Sequence, residues 1–283
     1  MTCLNRHGCC IFERMKKDAS EYSRLVRMFC TPPPYPLSEG EMNALKKADT
    51  FTVRFEDWDL PCYSWGEGKT VLLCHGWGSR AGHLVLMAKV LARAGYKVVA
   101  FDAPAHYSRP GVQRKAGSTM FEFGQAVSLV ARSLGDVYGL IGHSLGAMAS
   151  LFAMAAYPHL EENSFFCKKL ILVSTPAKLH HVIGNFCRRN SLNESDRRIL
   201  ESELQAAFAM TIADYDCARA LKAVSSKILI IQDADDEEFA AEETLAHAVD
   251  KHAARILITK NCGHNRILAK KQVFTEIIDF LKY

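Results

Sequence analysis

A short stretch near the middle of the chain, residues 139–147, constrains the fold most strongly. An apolar segment there runs into a Gly-x-Ser-x-Gly motif centred on Ser144, and residues that favour helix follow. This order predicts a buried strand that turns sharply into a helix, with the serine on the turn. So tight a turn leaves no room for a Cβ atom two residues before or after the serine, which explains Gly142 and Gly146. The turn would expose the Ser144 hydroxyl, and the helix would direct N–H groups at it.

Short apolar runs alternate with helical patterns on both sides of this motif. Predicted strands cover residues 51–55, 62–65, 71–74, 98–102, the run before Ser144, 170–173, 227–231 and 255–258. The main predicted helices cover residues 82–94, 119–134, the segment after Ser144, and 270–283. Strands that alternate with helices predict right-handed crossovers and a mostly parallel sheet that is covered on both faces.

One interval departs from this alternation. About fifty residues separate the strand that ends near Ser174 from the one that begins at Lys227, whereas a crossover needs about a dozen. We interpret about 177–226 as a small helical cap inserted over the carboxyl edge of the sheet, and the alternative is an elongated pair of crossover helices. Ser191 and Glu194 suggest a capping box for one of its helices.

The first part of the chain is predicted to be a helical extension, residues 1–48, ahead of a main domain over 49–283. A helix is predicted over residues 13–29, a proline-rich connector follows, and Ser38 with Glu41 forms a capping box for a short second helix. The sequence carries no signal for the function of this extension.

Composition excludes several classes of function. The net charge is +4 and the basic residues are scattered, so nucleic acid is not an expected partner. No apolar run reaches the roughly 18 residues of a membrane helix, so no integral membrane segment is expected. Residues 1–17 lack the apolar core of a signal peptide, and the ten cysteines then indicate reduced thiols in a cytoplasmic protein. Four potential ligands near the N-terminus lack a second pair at zinc spacing, so no metal site is expected there: Cys3, His7, Cys9 and Cys10.

From about residue 50 to the end, the chain resembles the α/β-hydrolase-fold serine hydrolases, the superfamily of esterases and lipases. Four motifs, each at the end of a predicted strand, carry the resemblance in the expected order: residues 75–78 (His-Gly-Trp-Gly), 142–146, the acidic cluster at 233–238, and Gly263-His264. The resemblance implies a mostly parallel eight-stranded sheet that is flanked by helices.

The resemblance also implies a catalytic triad. Ser144 would be the nucleophile, and His264, in the loop after the last strand, would be its base. The acid comes from the cluster after the penultimate strand, where the family pattern favours Asp236, with Asp233 and Asp235 as the alternatives. The backbone N–H groups of Trp77 and Leu145 would form the oxyanion hole.

One loop departs from the family pattern. Where similar enzymes commonly have Asp-x-Pro-Gly-His-Gly, this chain has Ala105 and Tyr107 in place of the two glycines. We assign no catalytic role to His106 between them. Asp102 lies too early to be the triad acid, and we expect it to fix the turn.

The expected function is cofactor-independent hydrolysis of a small acyl ester through an acyl-enzyme intermediate. Thioesterase or lipase action would use the same groups. A ligand-binding module without catalysis is the alternative from another class, because one fold can host unrelated functions. The sequence gives no indication of the oligomeric state.

Overall fold

Eight strands form one sheet in the computed structural model, which describes residues 23–106, 115–157, 160, 164–246 and 254–283. The strands are β1 (Asp49–Phe55), β2 (Trp58–Trp65), β3 (Lys69–Cys74), β4 (Tyr96–Phe101), β5 (Val137–His143), β6 (Lys169–Val173), β7 (Lys227–Asp233) and β8 (Ala254–Thr259). Their order across the sheet is β1-β2-β4-β3-β5-β6-β7-β8. Strand β2 is antiparallel to both β1 and β4, and the other neighbours are parallel. The predicted mostly parallel sheet is confirmed.

Helices cover both faces of this sheet. In the described residues they are α1 (Arg24–Cys30), α2 (Glu39–Leu45), α3 (Val85–Arg93), α4 (Met120–Leu134), α5 (Leu145–Met154), α6 (Leu179–Arg189), α7 (Glu194–Phe208), α8 (Cys217–Ala223), α9 (Ala241–Ala246), α10 (Gly263–Arg266) and α11 (Lys271–Lys282). Adjacent residues of a strand point to opposite faces. Leu72 and Leu140 accordingly join one buried core with α4 and α5, while Leu73 and Ile141 join a second core with α3 and α11.

The ends of several helices follow from capping residues. The Ser38–Glu41 capping box is present at the start of α2, as predicted. The predicted box of Ser191 and Glu194 is wrong. Asn193 and Asp196 cap α7 instead, because Ser191 has a φ of 54° and its N–H bonds to the Arg188 carbonyl at the end of α6.

Two further predictions need adjustment. The helix expected over residues 82–94 begins as a short 3₁₀ turn, Ala81–Leu84, before α3. Of the helix expected over residues 13–29, the described part is α1, which extends to Cys30. The cysteine and histidine cluster at residues 3–10 lies outside the described residues, as does Tyr107.

The long interval between β6 and β7 contains α6, α7, a 3₁₀ turn (Ile212–Asp214) and α8. Helices α6 and α7 contact each other, and both contribute side chains to a cavity that also reaches Ser144. Within the described ranges no helix is long and apolar enough to cross a membrane.

Candidate active site

Ser144 stands on a sharp turn between the end of β5 and the first residue of α5. Its backbone has a φ of 54°, in the left-handed region that side chains other than glycine seldom adopt. The Ser144 N–H donates to the Val173 carbonyl at the end of β6, at 2.9 Å. The neighbouring strand therefore stabilises a strained residue that carries a reactive group.

The glycines around Ser144 allow three pieces of backbone to meet. A Cβ atom on Gly146 would lie 2.1 Å from the His75 carbonyl oxygen, and one on Gly142 would lie 2.4 Å from Ala147 Cα. A Cβ atom on Gly76 would lie 3.0 Å from the Ser144 Cβ. The loop after β3 is thus packed directly against the serine turn, which the absence of side chains at these positions makes possible.

His264 connects Ser144 to a carboxylate. Its Nε2 accepts a hydrogen bond from the Ser144 hydroxyl at 2.9 Å, in the tautomer that donates Nδ1–H to Asp236 Oδ2, also at 2.9 Å. All three residues are buried in the protein. A hydroxyl, an imidazole and a carboxylate in this order are the groups that can activate a serine as a nucleophile.

The backbone of His264 is held by His143, the residue that precedes the serine. His143 Nε2–H donates to the His264 carbonyl at 2.9 Å. Burial, together with the nearby imidazole of His264, lowers the pKa of His143 to about 3, so its ring is neutral near pH 7. His143 thereby fixes the backbone of His264, a contact that the sequence motif did not indicate.

The three candidate acids have different positions. Asp236 contacts His264, and its second oxygen accepts from the N–H groups of Glu238 and Phe239 at 2.9 and 3.1 Å. Burial of Asp236 opposes its ionisation, but the hydrogen bond and charge of His264, with the backbone donors, hold its pKa below the usual value. Asp235 is exposed and accepts from the Asn261 N–H.

Asp233 anchors the loop between β8 and α10, the short helix that carries His264. Its carboxylate accepts from the Thr259 hydroxyl at 2.6 Å and from the N–H groups of Cys262 and Gly263 at 3.2 and 2.9 Å. Burial opposes its ionisation, but these donors outweigh burial and lower its pKa. Of the alternatives, the structure therefore brings only Asp236 to the histidine ring.

Trp77 and Leu145 line the same cavity as Ser144. Leu145 begins α5, so its N–H has no acceptor within the helix. Trp77 follows Gly76 in the loop against the serine, and its ring packs edge-on against His106, which is buried behind it.

The loop that carries Trp77 is fixed by its neighbours. His75 Nε2 accepts from the Ala103 N–H at 3.0 Å. The Asp102 carboxylate accepts from the Ala81 N–H at 2.7 Å, in keeping with the expected turn-fixing position.

Glu238 is a second carboxylate near the site that the sequence did not distinguish from its acidic neighbours. Its Oε2 lies 3.7 Å from His264 Nε2. It accepts from Asn185 Nδ2 and from the Arg189 guanidinium, both at 3.3 Å and both on α6. Nothing in the local pattern indicates this position, because it depends on the packing of α6 against the acidic loop.

Comparison with known proteins gives the family. The model of the alpha/beta hydrolase family matches residues 71–276. A serine hydrolase-like protein of Dictyostelium discoideum is 28% identical over 108 residues, which is 37% of this chain and 30% of that protein.

Solved structures share the fold at low sequence identity. An esterase of Pyrococcus furiosus has a TM-score of 0.65 at 18% identity, over 89% of this chain and 97% of that one. The thioesterase domain from the curacin biosynthetic pathway has a TM-score of 0.58 at 17% identity, over 83% of this chain and 99% of that one. With its eight-stranded sheet and the serine turn after β5, the chain belongs to the alpha/beta hydrolase family.

Proposed function

We propose that this chain is a serine hydrolase that cleaves carboxylic esters through Ser144, His264 and Asp236. The observation that carries the proposal is the unbroken series of hydrogen bonds from Ser144 Oγ through both ring nitrogens of His264 to Asp236. A serine hydroxyl alone is a weak nucleophile, and a contacting histidine base supplies the missing activation.

The reaction follows from this geometry. Ser144 Oγ attacks the ester carbonyl carbon while its proton passes to His264 Nε2, and Asp236 stabilises the resulting imidazolium. The backbone N–H groups of Trp77 and Leu145 stabilise the oxyanion of the tetrahedral intermediate. His264 then protonates the departing alcohol, and a water molecule, activated in the same way, releases the acid from Ser144.

Two related activities and one unrelated function compete with this proposal. Thioester cleavage and lipid hydrolysis would use the same three residues, so a substrate series distinguishes them from simple ester hydrolysis. A ligand-binding module would use the cavity without chemistry.

In all three cases, we propose that residues 177–226 form a cap and residues 1–48 an extension of the hydrolase domain at 49–283.

The decisive experiment is labelling with a fluorophosphonate, which reacts with a serine that is activated as a nucleophile. We expect wild-type protein to label, and Ser144→Ala and His264→Ala to remain unlabelled. Ser195→Ala removes an exposed serine on α7 and is the matched control, which should label like wild type. A folded wild-type protein that does not label, or a Ser144→Ala protein that does, would contradict the proposed mechanism.

A further inference from the structure

We propose that residues 28–35, here called the N-terminal wall, form one side of the acyl-binding pocket, and that Phe29 sets the length of acyl chain accepted. This inference rests on the proposed function, because it names the substrate class of the same site. The family model matches residues 71–276, and the wall lies before that region. The match to the family therefore does not by itself predict that the wall lines the pocket.

The cavity next to Ser144 has a volume of about 780 Å³. This lies within the roughly 300–1,000 Å³ typical of pockets that enclose a small organic ligand. Beyond the Trp77 loop and the start of α5, apolar side chains reach it from the N-terminal wall, the start of α4 and the α6–α7 pair, among others. Phe29, Phe121 and Phe186 represent these three parts. Such a lining favours a hydrocarbon group over a polar one, because apolar surface gains from leaving water.

The N-terminal wall is fixed to the hydrolase core at both ends. At one end, the Cys30 carbonyl accepts from the Ser118 N–H at 2.8 Å, just before α4. At the other end, the Arg80 guanidinium donates to the Tyr35 carbonyl. Between these points Pro33 packs on Gly78, where an added Cβ atom would meet the proline ring at 2.7 Å. These contacts hold the wall beside the loop of Trp77.

Phe29 joins the wall to α6. Its ring packs edge-on against that of Phe186 with the centroids 5.1 Å apart, an arrangement that aromatic pairs prefer to a face-to-face stack. The helix that carries it, α1, is tied to α7 through a hydrogen bond from the Ser23 hydroxyl to the Glu203 carboxylate. Phe29 thus closes the space between the N-terminal wall and the predicted cap.

The chemistry of the N-terminal wall fits a neutral acyl chain. The wall contains no charged residue. Burial raises the pKa of its Cys30 thiol to about 12, so this sulfur is not a competing nucleophile near neutral pH. The charged pair that borders the cavity, Arg189 with Glu238, comes from α6 and the acidic loop. We therefore expect the hydrocarbon chain of the acid to lie against the wall.

The test uses alkyl fluorophosphonates with chains from ethyl to dodecyl and measures the rate at which each inactivates the protein. Phe29→Trp should lower the ratio of the dodecyl rate to the ethyl rate by roughly tenfold relative to wild type. Phe29→Ala should shift the preference toward longer chains. Phe166→Trp is the matched control, because Phe166 is 59% exposed and does not line the cavity, and it should retain the wild-type profile.

The outcomes separate this inference from the proposed function. If wild type reacts but Phe29→Trp and Phe29→Ala keep its chain-length profile, the N-terminal wall has no part in specificity and the inference is wrong. If folded wild type reacts with no probe, the hydrolase proposal fails, and binding of decanoate is then measured by tryptophan fluorescence. If Phe29→Trp binds decanoate more weakly than wild type does, the inference about the N-terminal wall is still supported. If both proteins bind decanoate equally, or wild type does not bind it, the inference is wrong. Circular dichroism verifies that each variant is folded.

Discussion

Among the candidate acids Asp233, Asp235 and Asp236, only Asp236 accepts a hydrogen bond from the His264 ring, as the proposed triad requires. Because it holds His264 in the tautomer that can accept the serine proton, Asp236→Asn should lower kcat by about 10³–10⁴ at neutral pH. Asp235→Asn makes the same change of charge on an exposed residue one position away. Its activity should stay within about twofold of wild type, since exposed substitutions have small effects.

The measurement for this pair is hydrolysis of an activated ester, with each variant tested for folding by thermal unfolding. The expected result is a loss of turnover in Asp236→Asn alone. A large loss in Asp235→Asn with near-normal turnover in Asp236→Asn would move the triad acid to the neighbouring position.

Glu238 places a carboxylate beside Nε2 of His264, the nitrogen that would protonate the alcohol in the proposed reaction. Its carboxylate is 3.7 Å from the nitrogen that hands over the proton, and its side chain is 25% exposed. An anionic alcohol group would be repelled there by roughly 1 kcal/mol or less, because solvent and Arg189 screen the charge. Glu238→Gln should therefore raise kcat/KM for an anionic leaving group, relative to a neutral one, by up to about fivefold.

The comparison uses phenyl acetate and para-carboxyphenyl acetate, since they share one acyl group. The ratio of their kcat/KM values in the variant, divided by the wild-type ratio, removes the intrinsic difference in reactivity. Glu237→Gln, an exposed neighbour, is the matched control and should keep the wild-type ratio. An unchanged ratio in Glu238→Gln would mean that this charge is not felt by the substrate.

At the scale of elements, the loop between β8 and α10 depends on a carboxylate at the end of β7. Asp233 accepts hydrogen bonds from Thr259 at the end of β8, from Cys262 in the loop and from Gly263 at the start of α10. Its pKa lies below the unfolded value. A depressed pKa contributes stability above the unfolded pKa of about 3.9, and that contribution is lost as the pH falls through the folded value. Asp233→Asn should cost about 1–3 kcal/mol near pH 7.

Urea unfolding between pH 7 and pH 3 tests this linkage. The difference in unfolding free energy between wild type and Asp233→Asn should be constant down to about pH 5 and shrink at lower pH. The subtraction removes the contribution of Asp236, whose pKa is also lowered but which both proteins retain. A difference that does not change with pH would show that Asp233 anchors the loop without ionising.

Local sequence patterns predicted the parts of the site that depend on local backbone, whereas His264 and Asp236 were predicted from the resemblance to the hydrolases. Ser144 needs a tight turn after a strand, and the pattern of apolar residues and glycines records that turn directly. The contact of Phe29 with Phe186 and the approach of Glu238 to Asn185 join segments far apart in the chain. Helical periodicity and residue spacing carry no information about such contacts, so these residues required the structure.

The cysteines provide a test at the scale of the whole molecule. The chain has ten, and six of those described are both free and buried: Cys62, Cys74, Cys167, Cys187, Cys217 and Cys262. Burial raises the pKa of Cys62, Cys74 and Cys167 to about 12. Only the thiolate reacts with alkylating reagents. In native protein these six thiols should therefore stay unmodified under conditions in which an alkylating reagent modifies free glutathione.

Labelling with N-ethylmaleimide, followed by mass-spectrometric mapping of peptides, makes this prediction site-specific. A short pulse on native protein should leave the six cysteines unmodified, and the same pulse after denaturation without reductant should modify all of them. Protection of both Cys74 and Cys262 then indicates that the cores on the two faces of the sheet are intact, because each residue belongs to a different one. Modification of these two at the glutathione rate in native protein, or a disulfide-linked peptide between any of the six, would contradict the packing described here.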